Sequence, residues 1–311
     1  MDSVLKFIKN QKMLMVFLLL FILSSIVSPL FFTFVNLTNL LMQISVYGVI
    51  SCGLIFVIIN GDFDISVGAV MTLSSLLSVI IINVIGIIPA LLIMIAMGFV
   101  IGLINGLLVS KLKIHSFVVT LAGMAFYRGI AFIVSDGNSV ICKNTMFNEI
   151  SNGKLLGIPN LILIFLLLIV VAEFVLKKTT YGRNVCAVGG NKEVAMYTGV
   201  KVTFNKTSTF VLSGIAACLA GFLLASRLNT GTPNYGEDAA LYVIAAIVLG
   251  GTSLNGGRGG AVKTLIGLLI LGLVTNALNM MNVFSYYQLA IRGLLLILII
   301  AVDRFYQNRR S

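Results

Sequence analysis

Two acidic residues, Asp62 and Asp64, stand two positions apart in the segment Asn60-Gly-Asp-Phe-Asp-Ile-Ser-Val-Gly68. Carboxylates within a membrane are costly and are usually retained for proton or ion transfer. Both residues fall at the end of an apolar segment, where water is expected to be close. Asp64 also precedes a helix-forming stretch whose free amides it can cap. The pattern favours capping by Asp64 and leaves proton coupling by the pair as an alternative.

The other residues that could catalyse reactions form no recognisable enzyme site. His115 is the single histidine, which excludes a histidine metal cluster or a histidine dyad. The segment Gly250–Gly260 resembles a phosphate-binding loop but lacks its Gly-Lys-Ser/Thr ending. The cysteines lack metal-ligand spacing and imply no disulfide framework; they are Cys52, Cys142, Cys186 and Cys218. We therefore expect no enzyme, no metal, no cofactor and no ATPase site in this chain.

These residues are set in an apolar chain. Of its 311 residues, 59% are hydrophobic and 10% are charged, and the mean hydropathy is +1.09, whereas about a quarter of a soluble chain is charged. The apolar runs approach the roughly 20 residues that cross a bilayer as a helix. The sequence predicts an all-α polytopic membrane protein with one domain, residues 1–311. About ten spans are expected, at 12–32, 40–60, 64–83, 89–109, 116–135, 159–177, 206–227, 238–254, 260–280 and 286–303.

Basic residues predict the orientation of these spans. With both termini in the cytoplasm, most of the 21 Lys and Arg residues fall on the cytoplasmic side, as the positive-inside rule requires. The exceptions are Arg128, Lys143, Lys154, Arg227 and Arg292. The net charge of +11 is therefore a signal of topology, and its spread along membrane edges does not favour nucleic-acid binding.

Two glycine-rich interruptions are similar to each other and suggest an internal duplication. They lie at 60–68 and 250–260, at the cytoplasmic ends of the second and eighth segments. In secondary transporters, paired interruptions of this kind point to broken helices beside a substrate path, because irregular backbone at depth must be lined by protein or water. Tight cytoplasmic turns are the alternative. The hinge or gate candidates are Gly61, Asp64, Gly68, Gly250, Gly251, Thr252 and Ser253.

Further pairs and spacings predict helix packing. Gly98, Gly102 and Gly106 remove bulk from one face of the fourth segment, so a neighbouring backbone can approach closely. Glu173 and Lys177 are spaced for a salt bridge within one helix.

Two arginines, Arg128 and Arg292, fall in the outer halves of the fifth and tenth segments. Long basic side chains there can reach the outer headgroups, or they can line a polar path or form an interhelical pair. The outer loop at 136–160 has room for a short helix or a hairpin.

The longest polar stretch runs from Lys177 to Lys206. Gly189-Gly190 is expected to break the chain there, and Asn191 is a favourable N-cap. Glu193 falls in the first turn of a short helix that Gly199 ends. Such a helix can dock another protein, or it can lie on lipid headgroups.

The motif Glu193-Val-Ala195-x-x-x-Gly199 resembles the Glu-Ala-Ala-x3-Gly signature of ATP-binding-cassette (ABC) importer permeases. Its flanks, Tyr181-Gly-Arg-Asn and Thr198-Gly-Val-Lys201, resemble the same loop in the ribose-type monosaccharide permeases, which include ribose, xylose, galactoside and autoinducer permeases. Further matches follow in family order: Asp64-Ile-Ser-Val-Gly68, Asn105-Gly106, Phe117-Val-Val-Thr-Leu121, Arg128-Gly129, 245–254, Gly256-Gly257 and Ser285-Tyr-Tyr-Gln288.

This resemblance implies a multi-pass permease in the plasma or inner membrane. Its expected partners are a cytoplasmic two-cassette ATPase that hydrolyses the ATP, an external substrate-binding protein and a second permease copy. The loop at about 178–205 would couple to the ATPase through Asn191, Glu193, Ala195 and Gly199.

Departures from the family pattern leave the substrate open. Val194 replaces the middle Ala of the signature, Asp62 stands where Gly is usual, and Ala240 and Tyr242 occupy positions that often carry acids in ribose permeases. Pentoses, hexoses, nucleosides and sugar-like signals remain candidates. An ion-coupled secondary transporter and a membrane scaffold or receptor are the alternative functions.

Overall fold

The computed structural model describes residues 12–284, 286–291, 293–294 and 297. Helices dominate this part of the chain. They are α1 Lys12–Val27, α2 Phe34–Ile59, α3 Val67–Ile85, α4 Ile87–Ser110, α5 Ser116–Ser135, α6 Met146–Asn152, α7 Asn160–Lys178, α8 Thr180–Gly190, α9 Lys192–Tyr197, α10 Val202–Leu228, α11 Ala239–Leu249 and α12 Ala261–Met280. Four two-residue strands complete it: β1 Val140–Ile141, β2 Lys154–Leu155, β3 Ile158–Pro159 and β4 Thr230–Gly231.

Seven helices in the described ranges are long and apolar enough to cross a membrane: α2, α3, α4, α5, α7, α10 and α12. The chain is therefore a multi-pass membrane protein. Two shorter apolar helices, at Met15–Ile26 and Ala239–Leu249, fall within the first and eighth predicted segments. Half of the tenth segment and both chain ends lie outside the described residues, so ten spans and cytoplasmic termini stay predictions.

The bundle is organised around α2, most of whose residues are buried. The glycine spacing on α4 serves close packing, as predicted. β-Carbons at Gly98 and Gly106 would lie 2.6 Å from the Gly214 oxygen and 2.8 Å from the Thr207 Cα, both on α10. The α4 and α10 backbones are therefore in direct contact.

Opposite ends of the bundle carry different loops. At the end called here the α6 end, residues 136–160 form a short helix and the β2–β3 hairpin, and β1 pairs antiparallel with β4. Ser226 ties α6 to α10 there, because its Oγ donates to the Phe147 oxygen at 2.6 Å and accepts from the Ser151 amide at 3.1 Å. The other end, called the α9 end, carries α8 and α9.

Candidate functional site

Local hydrogen bonds fix both ends of α9. The Asn191 Oδ1 accepts from the Glu193 and Val194 amides, each at 3.0 Å. At the other end Gly199 has a φ of +84°, and its amide donates to the Met196 oxygen while the Val200 amide donates to Ala195, both at 3.1 Å. This pair of bonds is a Schellman motif, which needs a left-handed residue at the glycine position. The six-residue helix is thus capped from both sides by its own sequence.

The outer face of α9 is available to a partner. Tyr197 is 85% exposed, and Val194 and Met196 are each 56% exposed, whereas Ala195 is buried at 2%. Glu193 is also exposed and lies at the positive N-terminal end of the helix. The exposed face of α9 is therefore a small aromatic and apolar surface with an acidic edge. A surface of this kind can pack into a groove on another protein.

The expected chain break at Gly189-Gly190 is wrong. Both glycines belong to α8, a helix that the sequence reasoning missed, and the chain turns at Asn191, which has φ −157° and ψ 108°. The sequence does contain an N-cap residue for α8, Thr179. Its Oγ1 accepts from the Gly182 amide at 3.2 Å. The glycines serve contact with other backbones rather than a break.

Five glycines bring three segments together at the α9 end. We call them the glycine junction: Gly61, Gly189, Gly190, Gly256 and Gly257. The Gly257 amide donates to the Ile59 oxygen at 2.8 Å. β-Carbons at Gly256 and Gly257 would lie 2.7 Å from the Gly189 oxygen and 2.9 Å from the Gly190 Cα. Both glycine-rich interruptions therefore meet the end of α8, immediately before α9, through backbone contacts that leave no space for a β-carbon at Gly189, Gly256 or Gly257.

The two interruptions also end their preceding helices in the same way. Gly61 and Gly251 have φ values of +83° and +89°. The Gly61 amide donates to Ile58 and the Asp62 amide to Val57, each at 3.0 Å, and equivalent bonds run from Gly251 and Thr252 to Val248 and Ile247. Each loop therefore begins with a Schellman motif.

The remaining candidates of the second loop support its shape. A β-carbon at Gly250 would lie 2.7 Å from the Lys263 carbonyl carbon, so α11 and α12 touch there. The Ser253 amide donates to the Arg258 oxygen at 3.0 Å and closes the loop. Thr252 and Asn60 are 1% and 2% exposed, yet within the described residues the Thr252 hydroxyl and the side-chain Oδ1 and Nδ2 of Asn60 have no hydrogen-bond partner.

Asp64 lies deep inside the bundle, which contradicts the expectation of nearby water. It is 2% exposed. Its Oδ1 accepts from the Ser66 amide at 3.1 Å and the Ser66 hydroxyl at 2.5 Å, and its Oδ2 accepts from the Ser213 hydroxyl at 2.8 Å. Ser213 lies about 16 Å along α10, and the Asn105 Nδ2 donates to the Ser66 Oγ at 3.2 Å. Asp64 therefore joins the start of α3 to α10, with α4 attached through Asn105.

Asp62 has a different partner, so the two carboxylates do not act as a pair. Its Oδ2 lies 2.6 Å from the Lys206 Nζ, and the two side chains are 8% and 15% exposed. Asp62 is 6% exposed overall, again without the water that the sequence suggested. Asp62 therefore forms a buried ion pair, whereas Asp64 accepts hydrogen bonds from hydroxyl and amide groups.

A second irregular segment meets the start of α3 from the α6 end. The Thr72 hydroxyl donates to the Tyr235 oxygen, and a β-carbon at Gly68 would lie 3.4 Å from the Gly236 carbonyl carbon. The following helix, α11, has 11 residues and rises about 16 Å, roughly half of a 30 Å hydrocarbon core. The structure therefore contains a half-length helix between two irregular segments.

Arg128, on α5, forms an ion pair with Glu237. Its Nη1 lies 2.8 Å from Glu237 Oε1, with side chains 39% and 64% exposed. This contact joins α5 to the turn before α11, since Glu237 lies outside the helices, and it is therefore an ion pair between a helix and a turn rather than the interhelical pair that was predicted as an alternative. Arg292 lies outside the described residues, and His115 is exposed at the start of α5. The predicted Glu173–Lys177 ion pair is confirmed.

Comparisons with known proteins give a consistent picture. A family model described as the branched-chain amino acid transport system permease component matches residues 36–300. The chain is 42% identical to the ribose import permease protein RbsC of Bacillus subtilis (strain 168), covering 92% of this chain and 90% of that protein. It is 39% identical to the L-arabinose transport system permease protein AraH of Escherichia coli (strain K12), covering 96% and 91%. No solved structure matches the chain.

Proposed function

This chain belongs to the family described as the permease component of the branched-chain amino acid transport system, and from this membership and the relatives above we propose a function. The chain is the membrane permease of an ABC importer for a pentose-class monosaccharide. The identity to a ribose permease and an L-arabinose permease, over at least 90% of both chains in each comparison, carries this proposal. Ribose and arabinose are both five-carbon sugars. ATP is hydrolysed by a separate subunit.

The exposed face of α9 is the proposed contact with that ATPase subunit. Its caps hold the helix in one conformation, so docking costs little ordering entropy. Tyr197, Val194 and Met196 supply contact area, and Glu193 supplies a charge at the rim. On this proposal the α9 end is cytoplasmic, and the α6 end faces outward, where an external binding protein delivers the sugar to a dimer of permeases.

The glycine junction is the proposed route from the ATPase to the transport path. Because only Asn191 lies between the Gly189-Gly190 pair and α9, a displacement of α9 pushes on the loops that begin at Gly61 and Gly251. Packed backbones have no flexible side chains between them to absorb such a movement. Asn60 and Thr252 hold unpaired polar groups in this arrangement, and they are available for bonds in a second one.

The charges inside the bundle are also consistent with transport that is driven by ATP rather than by an ion gradient. A sugar is uncharged, so the membrane potential does no work on it. Asp62 is neutralised by Lys206. Asp64 is buried, and it accepts hydrogen bonds from the Ser66 amide and the Ser213 hydroxyl. Neither carboxylate has the open access that a proton or sodium carrier needs, so ion coupling is not favoured.

Uptake into proteoliposomes tests the proposal. The permease is reconstituted with its cassette ATPase and binding protein, with ATP enclosed on the side of the ATPase. We expect accumulation of labelled ribose or L-arabinose that an uncoupler leaves unchanged, and no accumulation of leucine. Loss of uptake on adding the uncoupler while ATP remains would favour ion coupling, and uptake of leucine instead of pentose would overturn the substrate class.

A further inference from the structure

An open apolar groove of about 180 Å³ runs along the side of the bundle between α2, α7 and α10. Its wall includes Cys52 and Phe56 on α2, Val171 and Val175 on α7, and Leu212 and Leu219 on α10. Val171 is 48% exposed at its rim. A groove of this composition inside the span of three membrane helices is suited to a hydrocarbon chain.

A pocket of about 400 Å³ lies at the α9 end, and the polar side chains in its lining include Tyr181, Asn184, Lys201 and Asn205. Lys201 gives the pocket a positive charge, and none of the described residues that line it is acidic. Burial raises the pKa of Tyr181, so its hydroxyl stays neutral. Basic pockets between membrane helices at the cytoplasmic side bind the headgroups of anionic lipids.

The groove and the pocket lie on one face of α10. Asn205, Ser208, Leu212 and Leu219 follow one another at helical spacing, and Ser208 is hydrogen bonded to the Tyr181 hydroxyl at 2.9 Å. The Phe56 and Tyr181 rings, one from each lining, are 6.1 Å apart. From Asn205 to Leu219 the helix rises about 21 Å, which exceeds the roughly 15 Å hydrocarbon depth of one leaflet. The combined site therefore has the length of one acyl chain and its headgroup.

An unpaired buried group in the pocket points to a ligand that carries a hydrogen-bond donor. Asn205 is 3% exposed, and its Oδ1 has no partner among the described residues. Its Nδ2 donates to the Lys201 oxygen at 3.3 Å, which directs Oδ1 elsewhere. A buried acceptor without a donor costs about 1–3 kcal/mol, so a donor supplied by a ligand would stabilise the site.

We propose that the groove and the pocket together bind one anionic phospholipid with a hydroxyl-bearing headgroup, of the phosphatidylglycerol type. The acyl chain lies against Val171 and Leu219, the phosphate lies beside Lys201, and a headgroup hydroxyl donates to Asn205. The pocket is also lined by Thr198, Gly199 and Val200, which directly follow α9, so the lipid steadies the segment that connects α9 to α10. This inference rests on the proposed function in one respect, namely that the α9 end lies at the cytoplasmic leaflet of the membrane.

Photo-crosslinking of the full-length purified permease in phosphatidylcholine vesicles tests the acyl site. The probes are phosphatidylglycerol and phosphatidylcholine that carry the same diazirine-labelled chain. We expect the phosphatidylglycerol probe to label the α7 and α10 peptides preferentially. Val171→Phe fills the groove and should reduce this labelling, whereas Val170→Phe, on the same helix at a position 62% exposed and outside the groove, should not. Equal labelling by both probes, or equal labelling of both variants, overturns the proposal.

A competition experiment tests the headgroup site. Lys201→Gln should weaken retention of phosphatidylglycerol by about fivefold, the effect of one basic residue at an anionic surface. Lys263→Gln, at another exposed lysine, should leave retention unchanged. Inorganic phosphate in excess should not displace the lipid; displacement would assign the pocket to free phosphate and overturn the lipid proposal. Unchanged retention in Lys201→Gln would also overturn it, and unfolding temperatures check that all variants are folded.

Discussion

Gly189, next to last in α8, lies so close to the carbonyl oxygen of Ile59, the last residue of α2, that a β-carbon at position 189 would overlap it. The same carbonyl accepts the Gly257 amide. One oxygen atom is therefore the meeting point of α2, of the helix that leads into α9, and of the second glycine-rich loop.

Gly189→Ala should disrupt this junction, whereas its neighbour tolerates the same change. A methyl group at Gly190 would meet its nearest atom, the Gly257 Cα, at 3.9 Å, an ordinary contact. We expect Gly189→Ala to lower stability by about 1–3 kcal/mol, as forced overpacking does, and to reduce ATP-driven uptake with the ATPase still bound. Uptake by Gly189→Ala equal to that by Gly190→Ala would refute transmission through the junction.

The double variant Glu193→Ala, Gly199→Leu should lose the ATPase while still inserting into the membrane. Leucine at position 199 is strained at a φ of +84°, so the end of α9 shifts. Co-purification of the cassette ATPase measures the effect. Gly137→Leu is the matched control, since Gly137 is also left-handed at φ +74° with open space around it, but it lies at the α6 end. Unchanged co-purification in the double variant would contradict docking at α9.

Asp64→Asn should preserve most transport, and Asp64→Leu should abolish it. The Asn oxygen can accept from the Ser66 amide, and the Ser213 hydroxyl can rotate to accept from the Asn amide. Leucine leaves the buried hydroxyls of Ser66 and Ser213 without their acceptor, at about 1–3 kcal/mol each. Uptake assays with matched expression levels separate the two variants. Complete loss in Asp64→Asn with normal insertion would show that the negative charge itself is required.

Lys206→Met should destabilise the protein by about 3–5 kcal/mol, because it leaves the buried Asp62 carboxylate uncompensated. The double variant Asp62→Asn, Lys206→Met removes both charges and should recover most of that loss. Thermal unfolding of the wild type, Lys206→Met, Asp62→Asn and the double variant in detergent completes the double-mutant cycle. Equal losses in Lys206→Met and in the double variant would mean that the ion pair is not the source of the effect.

The capped helix α9 could be predicted from sequence because its bonds are local. Asn191 reaches amides two and three residues ahead, and Gly199 supplies the left-handed residue of a motif that closes within five residues. The apolar runs located the spans for the same reason, since length and composition belong to each segment alone. The helix α8 was missed because two glycines at its end resemble a break when their neighbours are unknown.

The contacts within the bundle could not be predicted in this way. Asp62 and Lys206, and Asp64 and Ser213, are far apart in the chain, and no periodicity within either segment specifies the partner. The sequence suggested water near both acids because it shows where a helix ends but not what lies against that end.

The sequence by itself determined the membrane class, the approximate positions of the spans in the described region and the capped helix at Asn191 to Gly199, since hydrophobic length and capping depend on neighbouring residues. The tertiary structure decided that the two glycine-rich interruptions and α8 meet at the Ile59 carbonyl, and that Asp62 and Asp64 are buried with separate partners. The physical reason is that close backbone approach and the pairing of buried charges depend on how separate helices pack, which only the folded chain specifies.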